Sequence, residues 1–158
     1  MKLLDSLFGK PADTNDPPYY ESLRRSDFVT ALPLLRAAIR RDDARAMALF
    51  ATLLAFGRGV DTNLQDAADW FRQSAVRGHI AGQAAYGACL ASGLGVARND
   101  HEAAYWLYRA GCGGCRHAIE ILSDVVLRNQ RVVGAHFSMK EFLHLMRWAR
   151  RPAGAGLH

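Results

Sequence analysis

Gly57-Arg58-Gly59-Val60 returns as Gly93-Leu94-Gly95-Val96, and Ala67-Ala68-Asp69-Trp70 returns as Ala103-Ala104-Tyr105-Trp106, both at an offset of 36 residues. A fixed period of this size marks a repeat architecture, in which single units cannot bury their own apolar faces and must stack. Around these anchors the match widens to Phe50–Trp70 against Tyr86–Trp106. Half of the 158 residues are hydrophobic, alanine is abundant, and alternating Val, Ile and Thr runs are lacking. That pattern favours an all-α chain over a sheet.

The repeat register extends in both directions. One step back from Asn63 and Asn99 stands Asp27, and all three are residue types whose side-chain oxygen caps a helix N-terminus. Beyond each cap, Ala31, Ala67 and Ala103 align, then Leu34, Trp70 and Trp106, then Leu35, Phe71 and Leu107. Their spacing of three and four residues predicts one buried helical face. Pro33 falls inside the first of these helices, where the missing N–H predicts a bend. A second helix type precedes each glycine pair, over Ala44 to Phe56 and Ile80 to Ser92, and small residues along it read as a packing face. A third copy, Arg116 to Leu127, keeps the register but has Asn129 and Arg131 where the glycines stood. The helix after it, Ser138 to Arg150, carries Phe142 at the Trp106 position, and such degeneracy suits a terminal cap.

The expected organisation is a short amphipathic segment at 1–8, a turn-rich linker at 9–18, a single solenoid over 19–151 and a disordered tail at 152–158. Within the solenoid, clear repeats span 44–79 and 80–115, flanked by partial ones at 27–43 and 116–151. Tyr19 to Ser26 predicts a short helix that shields the first end of the stack, with Tyr20 and Leu23 turned inward. The segment 1–8 is too short and polar for a secretory leader, and no stretch approaches the ~20 apolar residues of a membrane span. The expectation is a soluble cytoplasmic protein with Cys89, Cys112 and Cys115 reduced.

Tyr86-Gly87-x-x-Leu90-x-x-Gly93-x-Gly95-Val96, followed by Ala103-Ala104-x-Trp106 and Gly114, resembles the Sel-one-like repeat, a relative of the tetratricopeptide repeat. Phe50-Ala51-x-x-Leu54-x-x-Gly57-x-Gly59-Val60, with Ala67-Ala68-x-Trp70, Ala75 and Gly78, is similar to it as well. Gly111 departs from the pattern by standing where Ala75 stands, and as a helical glycine it is expected to cost about 1 kcal/mol relative to alanine. The resemblance implies a right-handed superhelix of antiparallel helix pairs that binds proteins, with the first helix of each pair lining the concave face. Carried onto this chain, the contact positions are Arg45, Leu49, Thr52, Ala81, Ala85, Ala88, His117, Glu120, Ile121 and Asp124. The resemblance further suggests a bacterial adaptor, or an immunity protein that masks a toxic effector.

Other chemistry has weaker support. The Gly-x-Gly pairs follow helices, not strands, so they read as turns and not as phosphate loops. Cys112-Gly113-Gly114-Cys115 invites a redox or metal reading with His79 and His117, but a structural zinc site needs four ligands and no strand–helix pattern surrounds the pair. Cys112 and Cys115 occupy the positions of Val76 and His79, which suits turn residues. No cofactor is implied, and no nucleophile, base and orienting group are recognisable together, so an enzyme has no support. The net charge of +5 rests on arginine and favours a partner with an acidic surface. Nucleic acid is the rival partner and a thiol- or metal-dependent regulator a further alternative; interspersed acids and the lack of a nucleic-acid motif weigh against the former.

Overall fold

The computed structural model describes residues 16–151. They form α1 (Pro18–Arg24), α2 (Phe28–Ile39), α3 (Ala44–Phe56), α4 (Leu64–Val76), α5 (Ile80–Ser92), α6 (Asp100–Cys112), α7 (Arg116–Arg128) and α8 (Met139–Ala149). A 3-10 turn at Gln130–Val132 joins the last two, and no strand occurs among the described residues. The sequence readings on 1–8, 9–15 and 152–158 lie outside these residues. Consecutive helices pack as neighbours from α1 to α8, and first helices also touch across repeats, α3 with α5 and α5 with α7. The result is an all-α, tetratricopeptide-like stack.

The helix boundaries follow from local chemistry repeated in register. Asp27, Asn63 and Asn99 each accept the backbone N–H three residues on, from Thr30, Asp66 and Glu102. This satisfies one of the donors that a helix start leaves orphaned. The first helices have a cap series of their own that the sequence reading did not assign. Asp43 accepts from Arg45 and Ala46, and His79 Nδ1 accepts from Gly82, while Cys115 at the third copy makes no side-chain cap. At the other end, α3 and α5 close on Gly57 and Gly93 in the left-handed conformation, at φ 63° and 73°. α2 runs unbroken through Pro33, because the carbonyl deprived of its donor belongs to Val29 in the exposed first turn, where water can replace the bond.

The second glycine of each turn has a separate function. Gly59 at φ 72° lies against Phe28, and Gly95 at φ 70° lies against Leu64, the first residues of α2 and α4. A Cβ at either would overlap its neighbour, and at Gly95 the neighbour is backbone. The third copy holds the same two elements together differently. Arg128 at the end of α7 donates to Asp100, the first residue of α6, at 2.8 Å, and Arg98 donates to the same carboxylate at 3.1 Å.

Packing repeats as well. Phe50 meets Trp70 edge-on with ring centroids 5.7 Å apart, and Tyr86 meets Trp106 in the same way at 5.9 Å. Leu35, Leu107, Ile119 and Leu122 are fully buried, and each such side chain removed from water contributes about 1.5–3 kcal/mol. Gly111 is buried, and a Cβ there would stand 2.8 Å from Ile119 Cγ1. Beside its cost as a helical residue, the missing methyl lets α6 and α7 approach. Leu143, which continues the Leu35–Phe71–Leu107 series, is exposed, since no further helix packs on that face among the described residues.

Hydrogen bonds from Arg98 and then Arg128 hold the Asp100 carboxyl down at about 2, against an ordinary 3.8. A depressed folded value stabilises above the unfolded one and loses that contribution as pH falls through the folded one. We expect urea midpoints of the natural chain to drop between pH 4 and 2, with a smaller drop for Asp100→Asn. Identical acid limbs in the two proteins would remove the ion cluster as a source of stability.

Candidate functional site

A binding surface on this stack has to come from side chains that packing leaves free, and the three first helices supply them unequally. On α3, Arg45 is half-buried with its guanidinium 5.3 Å from the centroid of the Tyr20 ring, a cation–π contact. Leu49 is only 1% exposed and Thr52 only 3%, so the expectation that they meet a partner is corrected. For Leu49 the cause is α1: Tyr19, Tyr20 and Leu23 share one apolar cluster with Ala46, Leu49 and Leu53, while the Thr52 hydroxyl is satisfied by the Ala48 carbonyl at 2.9 Å. Burial without a bond would have been costly for that hydroxyl.

On α5, Ala81, Ala85 and Ala88 are half-buried and form a floor of small side chains. On α7, His117, Glu120 and Asp124 are exposed, with Ile121 half-buried between them. His117 Nδ1 lies 3.2 Å from Glu120 Oε2. The eight contact positions left open are thus the small residues of α5, the polar and partly acidic set on α7, and Arg45 on α3. α1 closes the remainder of α3. Tyr19 donates to Asp43 at 2.9 Å, which ties the start of α1 to the start of α3.

The repeat-signature residues are structural. Gly57, Gly59, Gly78, Gly93, Gly95 and Gly114 all have positive φ. Gly87 faces Leu107 at the interface of α5 and α6. Val60 and Val96 are half-buried against the core, Trp106 is buried and Trp70 half-buried.

The cysteine pair falls into the turn between α6 and α7. Cys112 is exposed, Cys115 half-buried and Cys89 half-buried, all as free thiols. Among the described residues no group of three or more His, Cys, Asp and Glu comes together as metal ligands. His79 is committed as a helix cap, and burial, then the nearby Arg45, lower its pKa, which keeps the imidazole neutral and able to accept from Gly82. Beside Cys112 opens a cleft of about 670 Å³ lined by Tyr108, Lys140, Glu141, His144 and Arg147. Burial and then a hydrogen bond with Cys112 raise the Tyr108 hydroxyl, so it is a neutral donor, not a base. Burial also pushes the Cys89 thiol up to about 11. At pH 8 Cys89 therefore holds roughly one part in a thousand as the reactive thiolate. We expect Ellman's reagent to modify Cys112 early and Cys89 only after denaturant is added. Three equal rates in the native protein would contradict this burial pattern.

Among the described residues no helix is long and apolar enough to cross a membrane. No curated protein matches the chain. The crystal structure of a Sel1 repeat protein from Oxalobacter formigenes superposes with a TM-score of 0.65 at 22% identity, over 82% of this chain and 51% of that one. The chain thus spans about half the length of that structure, and the likeness concerns the fold. The model of the Sel1 repeat matches residues 44–79 and 80–115, the units whose caps, glycine turns and aromatic pairs recur in step. The chain accordingly carries two Sel1 repeats, at 44–79 and 80–115, between a short helical pair and a degenerate third unit.

Proposed function

We propose that this protein is a non-enzymatic scaffold that binds another protein in the groove along α5 and α7. The supporting observation is the floor of Ala81, Ala85 and Ala88 beside the exposed His117, Glu120 and Asp124. Sel1 repeats generally serve protein–protein interaction, and this face leaves backbone-close, side-chain-poor surface where an incoming helix or loop can approach. A groove built on packed helices costs little ordering on binding. The more specific reading is a cytoplasmic adaptor or immunity protein that masks an effector through an acidic surface.

The test is capture with the tagged full chain, followed by recapture with Ala85→Arg and Asp124→Lys. Asp124 is exposed and Ala85 half-buried, so the melting temperature of each variant is measured alongside to show that the comparison is between folded proteins. Loss of the same partner from both folded variants supports the groove. A partner held equally by all three proteins, or none held by the natural chain, would sink the proposal.

A further inference from the structure

Antiparallel helix pairs give the stack two rims, and the charge divides between them. The first rim contains the ends of α2, α4, α6 and α8 with the starts of α1, α3, α5 and α7. Its continuity is visible in contacts: Arg77 of α4's end pairs with Asp42 after α2, and Ser74 donates to the Ala44 carbonyl at 2.6 Å. Further along, Gly113 lies against Ile80, and the Arg116 guanidinium stands 5.4 Å from the Trp148 ring centroid. Residues 16–20, 36–47, 73–83, 109–119 and 146–151 make up this rim, and they hold ten arginines against three aspartates. The opposite rim, residues 21–31, 53–67, 89–103 and 125–142, holds seven basic and seven acidic side chains. Each rim carries helix starts and helix ends alternately, so the backbone dipoles largely offset one another and the side chains set the potential.

Two of the three acids of the first rim are committed within the chain. Asp42 pairs with Arg77, and Asp43 caps α3 while accepting from Tyr19. Arg40, Arg41, Arg147, Arg150 and Arg151 are exposed. The groove beside them carries Glu120 and Asp124, which would repel an acidic surface laid directly over α7. Resting on the scaffold reading above, we infer that this arginine rim docks an acidic segment of the partner protein, while the groove receives a part of different character. Arginine suits that task, since its planar fork meets carboxylates in two parallel hydrogen bonds. Successive packed helices lie about 8–10 Å apart, close to the advance of seven residues along a helix at about 1.5 Å each, so an acidic helix can meet successive turns. Single-stranded nucleic acid would need exposed aromatic platforms. The rim's aromatics are instead buried: Tyr19 is 2% exposed, Tyr20 8% and Trp148 8%.

The experiment compares two variants with the same loss of four charges. Arg40→Gln/Arg41→Gln/Arg150→Gln/Arg151→Gln strips the first rim, and Arg24→Gln/Arg25→Gln/Arg58→Gln/Arg131→Gln strips the second. Binding of labelled poly-L-glutamate and of a DNA duplex is read by fluorescence anisotropy at about 0.1 M ionic strength, where screening acts over about 10 Å. Poly-glutamate affinity should fall about tenfold or more in the first variant and change less than about twofold in the second. Equal weakening by both, no poly-glutamate binding, or tighter binding of the duplex than of poly-glutamate overturns the rim assignment. Circular dichroism and melting of both variants show that the comparison is between folded proteins. The groove reading stands or falls separately: a captured partner that survives stripping of the first rim but not Ala85→Arg overturns the rim and leaves the scaffold intact.

Discussion

Gly95→Ala should lower stability by about 3 kcal/mol, from left-handed strain of about 1–2 kcal/mol and overpacking of about 1–3 kcal/mol. Gly95 has φ 70°, and a Cβ there would overlap the Leu64 carbonyl and lie 2.9 Å from the Gln65 nitrogen. Those atoms begin α4, so the turn and the helix start have to separate. For a domain of this size each kcal/mol moves Tm by about 2–4 °C, so the variant should melt about 10 °C lower. Two sister substitutions apportion the effect. Gly78 has φ 83° with nothing within 4 Å of a built Cβ, so Gly78→Ala isolates the backbone strain at about 1 kcal/mol. Gly59 meets the Phe28 side chain, which can rotate aside, so Gly59→Ala should fall between them. Urea unfolding of the three proteins gives the order, and a Gly95→Ala value no larger than that of Gly78→Ala would show that the contact with α4 contributes nothing.

Leu107→Ala is the second large effect, at about 3–4 kcal/mol for a fully buried leucine whose site collapses only in part. Leu107 is 0% exposed and lies over Gly87, where a Cβ would stand 2.7 Å from Leu107 Cγ and 3.2 Å from the Leu107 nitrogen. Gly87→Ala alone therefore forces α5 and α6 apart, and we expect a cost of about 2 kcal/mol. In the double variant the added methyl enters space that the leucine has vacated, so the two losses should fall short of their sum by about 1 kcal/mol. Rescue stays partial because the α6 backbone remains close. Strict additivity in denaturant unfolding would mean that the two residues do not share the interface in the way their geometry indicates.

Much of the fold was legible because its determinants are local and repeated. The caps at Asp27, Asn63 and Asn99 are hydrogen bonds over three residues, and Gly57 and Gly93 end helices by a backbone conformation that side chains resist. Such signals need no knowledge of what packs where. The burial of Leu49 was not legible because it depends on α1, a helix that belongs to no complete repeat and whose docking the period does not encode. His79 was weighed as a metal ligand because residue type alone does not reveal that its Nδ1 faces the Gly82 N–H. The packing role of Gly111 was not legible because propensity is local, whereas Ile119 comes from the next helix.

By itself the sequence determined the helices, their period and the order in which they stack, since each is written in contacts spanning a few residues. Only the tertiary structure decided which first-helix positions remain open and how a net charge of +5 is distributed in space. Arginines scattered from Arg36 to Arg151 fall on one rim because antiparallel pairing returns the end of every second helix to the start of the next first helix. Charge along the chain is a sum, whereas charge on a surface depends on where each turn is placed, and that placement is a property of the packed stack.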